Sequence, residues 1–84
     1  MPSPAAKFYI YFQAKCDQDR RVWTRDSVRS YPTLQSASVQ ARKLRPAFAD
    51  AYGPDEVAIA LVLIDLPRAE IHIGAGQDFT IWYL

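Results

Sequence analysis

The feature that most constrains the fold is an unbroken apolar run of eight residues, from Val57 to Ile64. Alternate residues of a strand point to opposite faces of a sheet, so this run would be apolar on both faces. Such a strand belongs inside a sheet and is covered on at least one side. The pattern therefore predicts a central strand over residues 56–65. Ala58 and Ala60 are small, and we expect a helix to pack closely against them.

Two further strands are predicted near the start of the chain. Residues 7–15 alternate, with Phe8, Ile10 and Phe12 on one face and more polar residues on the other, a period typical of a strand. Residues 16–19 favour a turn because Asp side chains bond their own backbone. Residues 20–27 then form the returning strand of a hairpin.

A helix is predicted after Thr33, whose hydroxyl can accept a hydrogen bond from the first helical turn. Apolar residues then recur at intervals of three and four, as on one side of an amphipathic helix. Gly53 and Pro54 favour its end. Pro46 lies inside the pattern and removes a backbone hydrogen bond, which predicts either a kink or a break into two helices. The apolar positions are Leu34, Ala37, Ala41, Leu44, Phe48 and Ala51.

Two last strands are expected over residues 69–73 and 79–84. The chain of 84 residues is 50% hydrophobic, which allows one domain and excludes intrinsic disorder. We predict a single α+β domain over residues 7–84, preceded by a flexible tail over 1–6. Its fold is a two-layer sandwich of order ββαβββ, in which one helix crosses a mostly antiparallel sheet of four or five strands.

Charge is unevenly distributed along the sequence. Residues 1–46 hold nine Lys and Arg against three Asp, or +6, and residues 47–84 hold only Arg68 against six acids, or −5. Folding either interleaves the two halves or leaves a basic and an acidic side, and the sequence keeps both outcomes open. One cysteine, no signal peptide and no apolar run of the roughly 20 residues that span a membrane favour a reduced, cytoplasmic protein that contacts no membrane.

The residue pattern favours a protein that is not an enzyme. Cys16 and His72 are the only thiol and imidazole, and nothing in the sequence pairs them as a nucleophile and base. Asp17 and Asp19 lack the glycine and glutamate of a calcium loop. The loop 74–76 precedes a strand rather than the helix that a phosphate site needs. No cofactor and no metal site are predicted.

Two kinds of binding surface are suggested instead. Tyr9, Tyr11 and Trp23, with Trp82 or Tyr83, are expected on the sheet face away from the helix, where bases stack on aromatics and nearby cations meet phosphates. Alternatively, these aromatic side chains stabilise the sheet or pack against a second copy of the chain. One helix also cannot cover the whole sheet, and exposed apolar patches mark interaction sites. The last strand is a candidate open edge.

The leading hypothesis is a small non-enzymatic protein-binding module that inhibits or regulates a larger assembly. Proteins of this size and class include phage and mobile-element inhibitors such as the anti-CRISPR proteins. The alternatives are a nucleic-acid-binding module and an uncharacterised small enzyme. A homodimer through the sheet face or the edge strand is a further expectation. The candidate partner-binding residues are Tyr9, Tyr11, Arg21, Trp23, Arg25, Arg42, Lys43, Arg45, Trp82 and Tyr83.

Overall fold

The computed structural model describes residues 7–17, 19, 21–65, 68–72 and 79–84. One helix lies against one sheet of five antiparallel strands, and the predicted α+β sandwich of order ββαβββ is confirmed. The predicted tail over 1–6 lies outside the described residues. The strands are β1 (Lys7–Ala14), β2 (Val22–Arg25), β3 (Val57–Ile64), β4 (Glu70–His72) and β5 (Thr80–Tyr83), and the helix is α1 (Leu34–Tyr52).

The sheet is built around β1, and its strand order is β4-β2-β1-β3-β5. All eight residues of β1 pair with β3, from Lys7 opposite Ile64 to Ala14 opposite Val57. The continuous apolar run forms a strand with a neighbour on each side, as a central strand requires, although β1 rather than β3 is the middle strand of the five. β4 and β5 form the two edges.

The hairpin of β1 and β2 is confirmed, and β2 is shorter than predicted. A 3-10 turn over Lys15–Asp17 follows β1. Arg21 has a φ of 55°, a left-handed conformation that an extended strand does not contain. β2 can therefore begin only at Val22.

Both predicted ends of α1 are confirmed. The Thr33 hydroxyl accepts a hydrogen bond from the Ser36 amide at 3.1 Å, as a helix cap does. Gly53 ends the helix with a φ of +105°, and its amide donates to the Ala49 carbonyl at 2.7 Å. A side chain would be strained in that conformation, which explains the glycine. None of the described helical residues forms a segment long and apolar enough to cross a membrane.

The predicted break at Pro46 is wrong, because α1 runs through this residue. Pro46 is exposed, whereas Leu44 and Phe48 on either side of it pack against the core. The Phe48 ring also stacks on Phe12 of β1 at a centroid distance of 4.5 Å. These contacts stabilise the helix at the position where proline removes a backbone hydrogen bond.

The helix covers one face of the sheet and brings its own small residues to the contact. Ala37 and Ala41 are fully buried there, packed with Ile10, Ile59 and Leu61. Ala58 and Ala60 belong to the opposite face, so the expectation that they receive the helix is wrong. The close approach is provided by the alanines of α1 instead.

The second face of the sheet is also buried, although no described helix covers it. Tyr11 and Val62 are inaccessible to solvent there, and the Tyr11 hydroxyl donates to the Arg68 carbonyl at 2.7 Å. The rings of Trp23 and Tyr83 approach each other at a centroid distance of 5.8 Å. Tyr83 lies opposite Ala60 in the register. The small alanine side chains of β3 thus leave room for large aromatic rings to meet above them.

Leu61→Ala should lower the free energy of unfolding by about 2–5 kcal/mol, because truncating a fully buried leucine leaves a cavity. Urea unfolding measures the loss, with Val28→Ala as the control because Val28 is 81% exposed. A loss below about 1 kcal/mol would contradict the tight packing of Leu61 between β1 and α1.

Pro46→Ala should raise the free energy of unfolding by about 1–3 kcal/mol, because it restores the hydrogen bond that a proline removes inside a helix. Thermal and urea unfolding provide the measurement, and Ala47→Gly in the same turn serves as a control that should destabilise. A lower melting temperature for Pro46→Ala would mean that proline stabilises a helix start at this point.

Candidate functional site

The predicted aromatic platform exists as a cluster, but it is buried. Tyr9, Tyr11 and Trp23 share the face away from α1 and are only 7%, 0% and 4% exposed. The expectation that these three side chains are exposed is wrong, because the segment at Arg68 and the residues Phe79 and Ile81 pack against the cluster. Burial raises the pKa of the Tyr11 hydroxyl. In this structure, the three rings are inaccessible to bases or to a protein partner.

The other predicted site residues lie in three separate places. Arg21 is exposed in the turn before β2, and Arg25 at the end of that strand is half-buried. On β5, Trp82 is half-buried with its ring 5.5 Å from that of Phe8, whereas Tyr83 is 61% exposed. The remaining three are exposed cations on α1, and they are Arg42, Lys43 and Arg45.

Strand pairing interleaves the basic and acidic halves of the sequence within the sheet. Lys15 forms an ion pair with Glu56 at 3.6 Å. Lys7 pairs with Ile64, the residue before Asp65, and Thr24 pairs with Glu70, which brings an acid next to Arg25. Cations and acids therefore alternate around the sheet, and the sheet has no purely basic surface among its described residues.

The helix and the segment before it keep an unbalanced positive charge. No Asp or Glu occurs in residues 27–49, which contain Arg29, Arg42, Lys43 and Arg45. All four are exposed. The positive potential of the molecule is thus associated with α1 and with the loop that leads into it.

An open cleft of about 580 Å³ lies at the start of α1. One wall is the loop that follows β2, and the other is the first two turns of the helix. Its residues belong to no recognisable motif, so the sequence did not predict the cleft. The lining residues are Arg29, Ser30, Tyr31, Pro32, Thr33, Gln35, Ser36, Val39 and Gln40.

The loop wall of the cleft is fixed to the sheet. Tyr31 and Phe8 exchange two backbone hydrogen bonds, of 2.9 and 3.1 Å, and the Tyr31 side chain is buried in the core beneath α1. The Arg29 guanidinium lies 5.5 Å from the centre of the Tyr31 ring, a favourable cation–π distance. The Arg29 cation therefore lies at the edge of the cleft, against a tyrosine ring that is fixed in the core.

The helix wall of the cleft is partly apolar. Ser36, Val39, Gln40 and Lys43 are spaced by three and four residues, which places them on one side of the helix. Val39 is 45% exposed although it is apolar, because it lies on the side of the helix away from the sheet. We call the cleft together with Arg42 and Lys43 the basic cleft surface. This surface combines an exposed apolar residue, Val39, with nearby cations.

The described residues contain no recognisable catalytic or metal-binding arrangement. Cys16 is exposed in the turn after β1, His72 is exposed at the end of β4, and no hydrogen bond among the described residues joins them. No group of three or more His, Cys, Asp or Glu side chains within the described part of the chain could hold a metal ion. The loop 74–76 lies outside the described residues.

Comparison with known proteins identifies no family for this chain. No protein-family model, no curated protein and no solved structure matches it. Two accessible features of the described residues could bind a partner, the basic cleft surface and the open edge at β5.

Asp26→Asn should stabilise the fold more strongly as the pH rises from about 3 towards neutrality. Asp26 is half-buried beside the end of β2, and burial raises the pKa of its carboxyl above the ordinary value of 3.8. The folded state then binds a proton more tightly than the unfolded state. Stability from this carboxyl is present at low pH and is lost as the pH rises from the unfolded pKa through the folded one.

Urea unfolding of the wild type and Asp26→Asn across this pH range measures the effect. Asp50→Asn provides the matched control, because Asp50 is exposed on α1. If the difference in the free energy of unfolding between Asp26→Asn and wild type does not change with pH, burial does not raise the pKa of this carboxyl.

Proposed function

We propose that the chain is a small non-enzymatic protein-binding module that inhibits or regulates a larger assembly, and that it binds through the basic cleft surface. The observation that carries the proposal is the open cleft of about 580 Å³, with the half-exposed Val39 and the cation of Arg29 in its lining. The partner is an acidic protein surface that inserts an apolar or aromatic side chain into the cleft.

Two features of the surface suit a protein partner. Val39 gives the otherwise polar wall of the cleft an exposed apolar contact. Large side chains, such as an aromatic residue of the partner, contribute most to binding energy when they are buried in a pocket of this kind. Arg29 lines the cleft, and Arg42 and Lys43 follow Val39 by three and four residues on the same helix, which adds positive charge beside it. Rim charges of one sign accelerate encounter with an oppositely charged partner and set its orientation.

A nucleic-acid partner is less well supported by this surface. Proteins that bind single strands combine cations with exposed aromatic rings on which bases stack. Here Tyr9, Tyr11 and Trp23 are buried, and so is Tyr31, the aromatic residue that lines the cleft. The lining of the cleft therefore contains no exposed aromatic ring on which a base could stack. Binding to nucleic acid is accordingly an alternative outcome of the experiment below.

The proposed regulation is occlusion in the cytoplasm. A small domain that covers an acidic surface can inhibit a larger assembly without any chemistry of its own, and protein inhibitors that bury an interface of about 1,600 Å² are among the tightest binders. Our proposal includes the class of phage and mobile-element inhibitors, of the anti-CRISPR kind. Restored plaque formation in bacteria that carry an active CRISPR system would support this class. Unchanged immunity across the systems tested would contradict the anti-CRISPR role.

Val39→Asp should abolish the proposed complex, because it places an acid where an acidic partner must enter the cleft. Immobilised wild type, Val39→Asp and Val28→Asp are compared for capture from nuclease-treated host lysate, and the captured protein is then purified and titrated. Val28→Asp is the matched control, since Val28 is 81% exposed and does not line the cleft. We expect Val39→Asp to weaken affinity by about 10-fold or more and Val28→Asp to leave it unchanged.

Charge variants, and binding measured near physiological salt, then distinguish a protein partner from a nucleic acid. Replacing Arg42 and Lys43 together by Ala should slow association and leave dissociation almost unchanged. The proposal is overturned if the chain binds oligo(dT) or unstructured RNA tightly near about 0.15 M salt and Val39→Asp does not alter that binding. It is also overturned if Val28→Asp and Val39→Asp weaken protein capture equally.

A further inference from the structure

The outer edge of β5 has none of the charged or proline residues that usually prevent an exposed strand from pairing. Its residues, Thr80, Ile81, Trp82 and Tyr83, include no charge, proline or glycine. The opposite edge, β4, is only three residues long and contains Glu70. Proteins protect exposed edges by shortness and charge. Both edge strands are short, but only β4 also has a charged residue. No described strand pairs with the outer side of β5.

The backbone register shows which groups of β5 are available at this edge. The Leu84 amide donates to the Ile59 carbonyl at 2.9 Å, and Trp82 lies opposite Leu61. In an antiparallel pair, residues whose groups point to the neighbouring strand alternate with residues whose groups point away. The backbone amides and carbonyls of Trp82 and Leu84 therefore point towards β3 and form hydrogen bonds with it. The amides and carbonyls of Ile81 and Tyr83 point outward.

We propose that β5 pairs in antiparallel orientation with β5 of a second copy of this chain, around a twofold axis at Trp82. Ile81 then lies opposite Tyr83 of the partner subunit, and each such pair exchanges both of its N–H···O bonds. This register satisfies every outward backbone group of β5. A twofold register centred on Ile81 would instead require Tyr83 to pair with Phe79, which lies outside β5.

The side chains are compatible with this pairing of identical strands. Trp82 faces Trp82 of the partner subunit in the closely spaced, non-hydrogen-bonded position, where aromatic pairs stabilise a sheet. The Trp82 ring already lies against Phe8, so little side-chain freedom is lost. On the other face, Tyr83 meets Ile81 of the partner subunit. No charges oppose each other, because β5 contains none.

The dimer and the basic cleft surface involve different residues. The cleft is lined by residues 29–40, whereas the dimer contact is confined to β5. Variants of one surface leave the other unchanged. The inference is therefore independent of the proposed function, and each can fail without the other.

Tyr83→Pro and Tyr83→Ala form a matched pair that tests the dimer. Both remove the ring that contacts Trp23, but only proline removes the outward amide, and proline is tolerated where a strand amide faces solvent. Sedimentation from about 10 µM to about 1 mM should show a weak, concentration-dependent dimer for wild type, since the edge is short compared with interfaces of roughly 1,200–2,000 Å². We expect Tyr83→Pro to raise the dimer Kd by about 10-fold or more relative to Tyr83→Ala.

Hydrogen exchange of the wild type tests the register without any variant. The amides of Ile81 and Tyr83 should exchange more slowly as the protein concentration rises, because they become bonded only in the dimer. The amides of Trp82 and Leu84 are bonded to β3 already and should show no such dependence. The proposal is overturned if wild type stays monomeric at about 1 mM, if Tyr83→Pro dimerises as well as Tyr83→Ala, or if exchange at Ile81 and Tyr83 is independent of concentration.

Discussion

The pairing of β1 with β3 is the constraint on which the rest of the molecule depends. It extends over all eight residues of both strands and leaves both faces of the strand pair apolar. Ile10 and Leu61, which are neighbours in this register, form the floor on which α1 packs. Tyr11 and Ala60, the next pair, form the floor of the opposite face. A two-sided core of this kind requires cover on both sides, and the described part of the chain contains one long helix with which to provide it.

The second face is covered by side chains that reach across the sheet. Trp23 and Tyr83 come from strands on opposite sides of the β1–β3 pair, and their rings meet because Ala58 and Ala60 between them are small. The Tyr11 hydroxyl has a partner in the Arg68 carbonyl, which avoids the cost of burying an unpaired polar group. Aromatic residues that resemble a binding surface in the sequence therefore serve the interior, and the accessible surfaces are the cleft at α1 and the edge at β5.

Local patterns predicted the elements well, because they report local physics. Alternation identified β1, the continuous apolar run identified β3, and Thr33 and Gly53 marked the ends of α1. The sequence could not show which face of β3 the helix covers, since both faces are apolar and either would accept it. Nor could it show that Tyr9, Tyr11 and Trp23 are buried, because their cover depends on contacts between residues far apart in the chain. The cleft depends on the bridge between Tyr31 and Phe8, which local periodicity does not contain.

The central pairing also has a consequence for how the chain acquires its structure. Partner residues such as Lys7 and Ile64 are separated by most of the sequence, so the contact order of the fold is high for its size, and such topologies fold slowly. During synthesis, the β1–β2 hairpin and α1 leave the ribosome before β3 does. Until β3 arrives, the apolar residues of β1 and the inner side of α1 have no sheet to bury them, and exposed surfaces of this kind favour aggregation. The nascent chain thus depends on its second half for a stable core, and a truncated product that ends after α1 would be a substrate for chaperones and proteases.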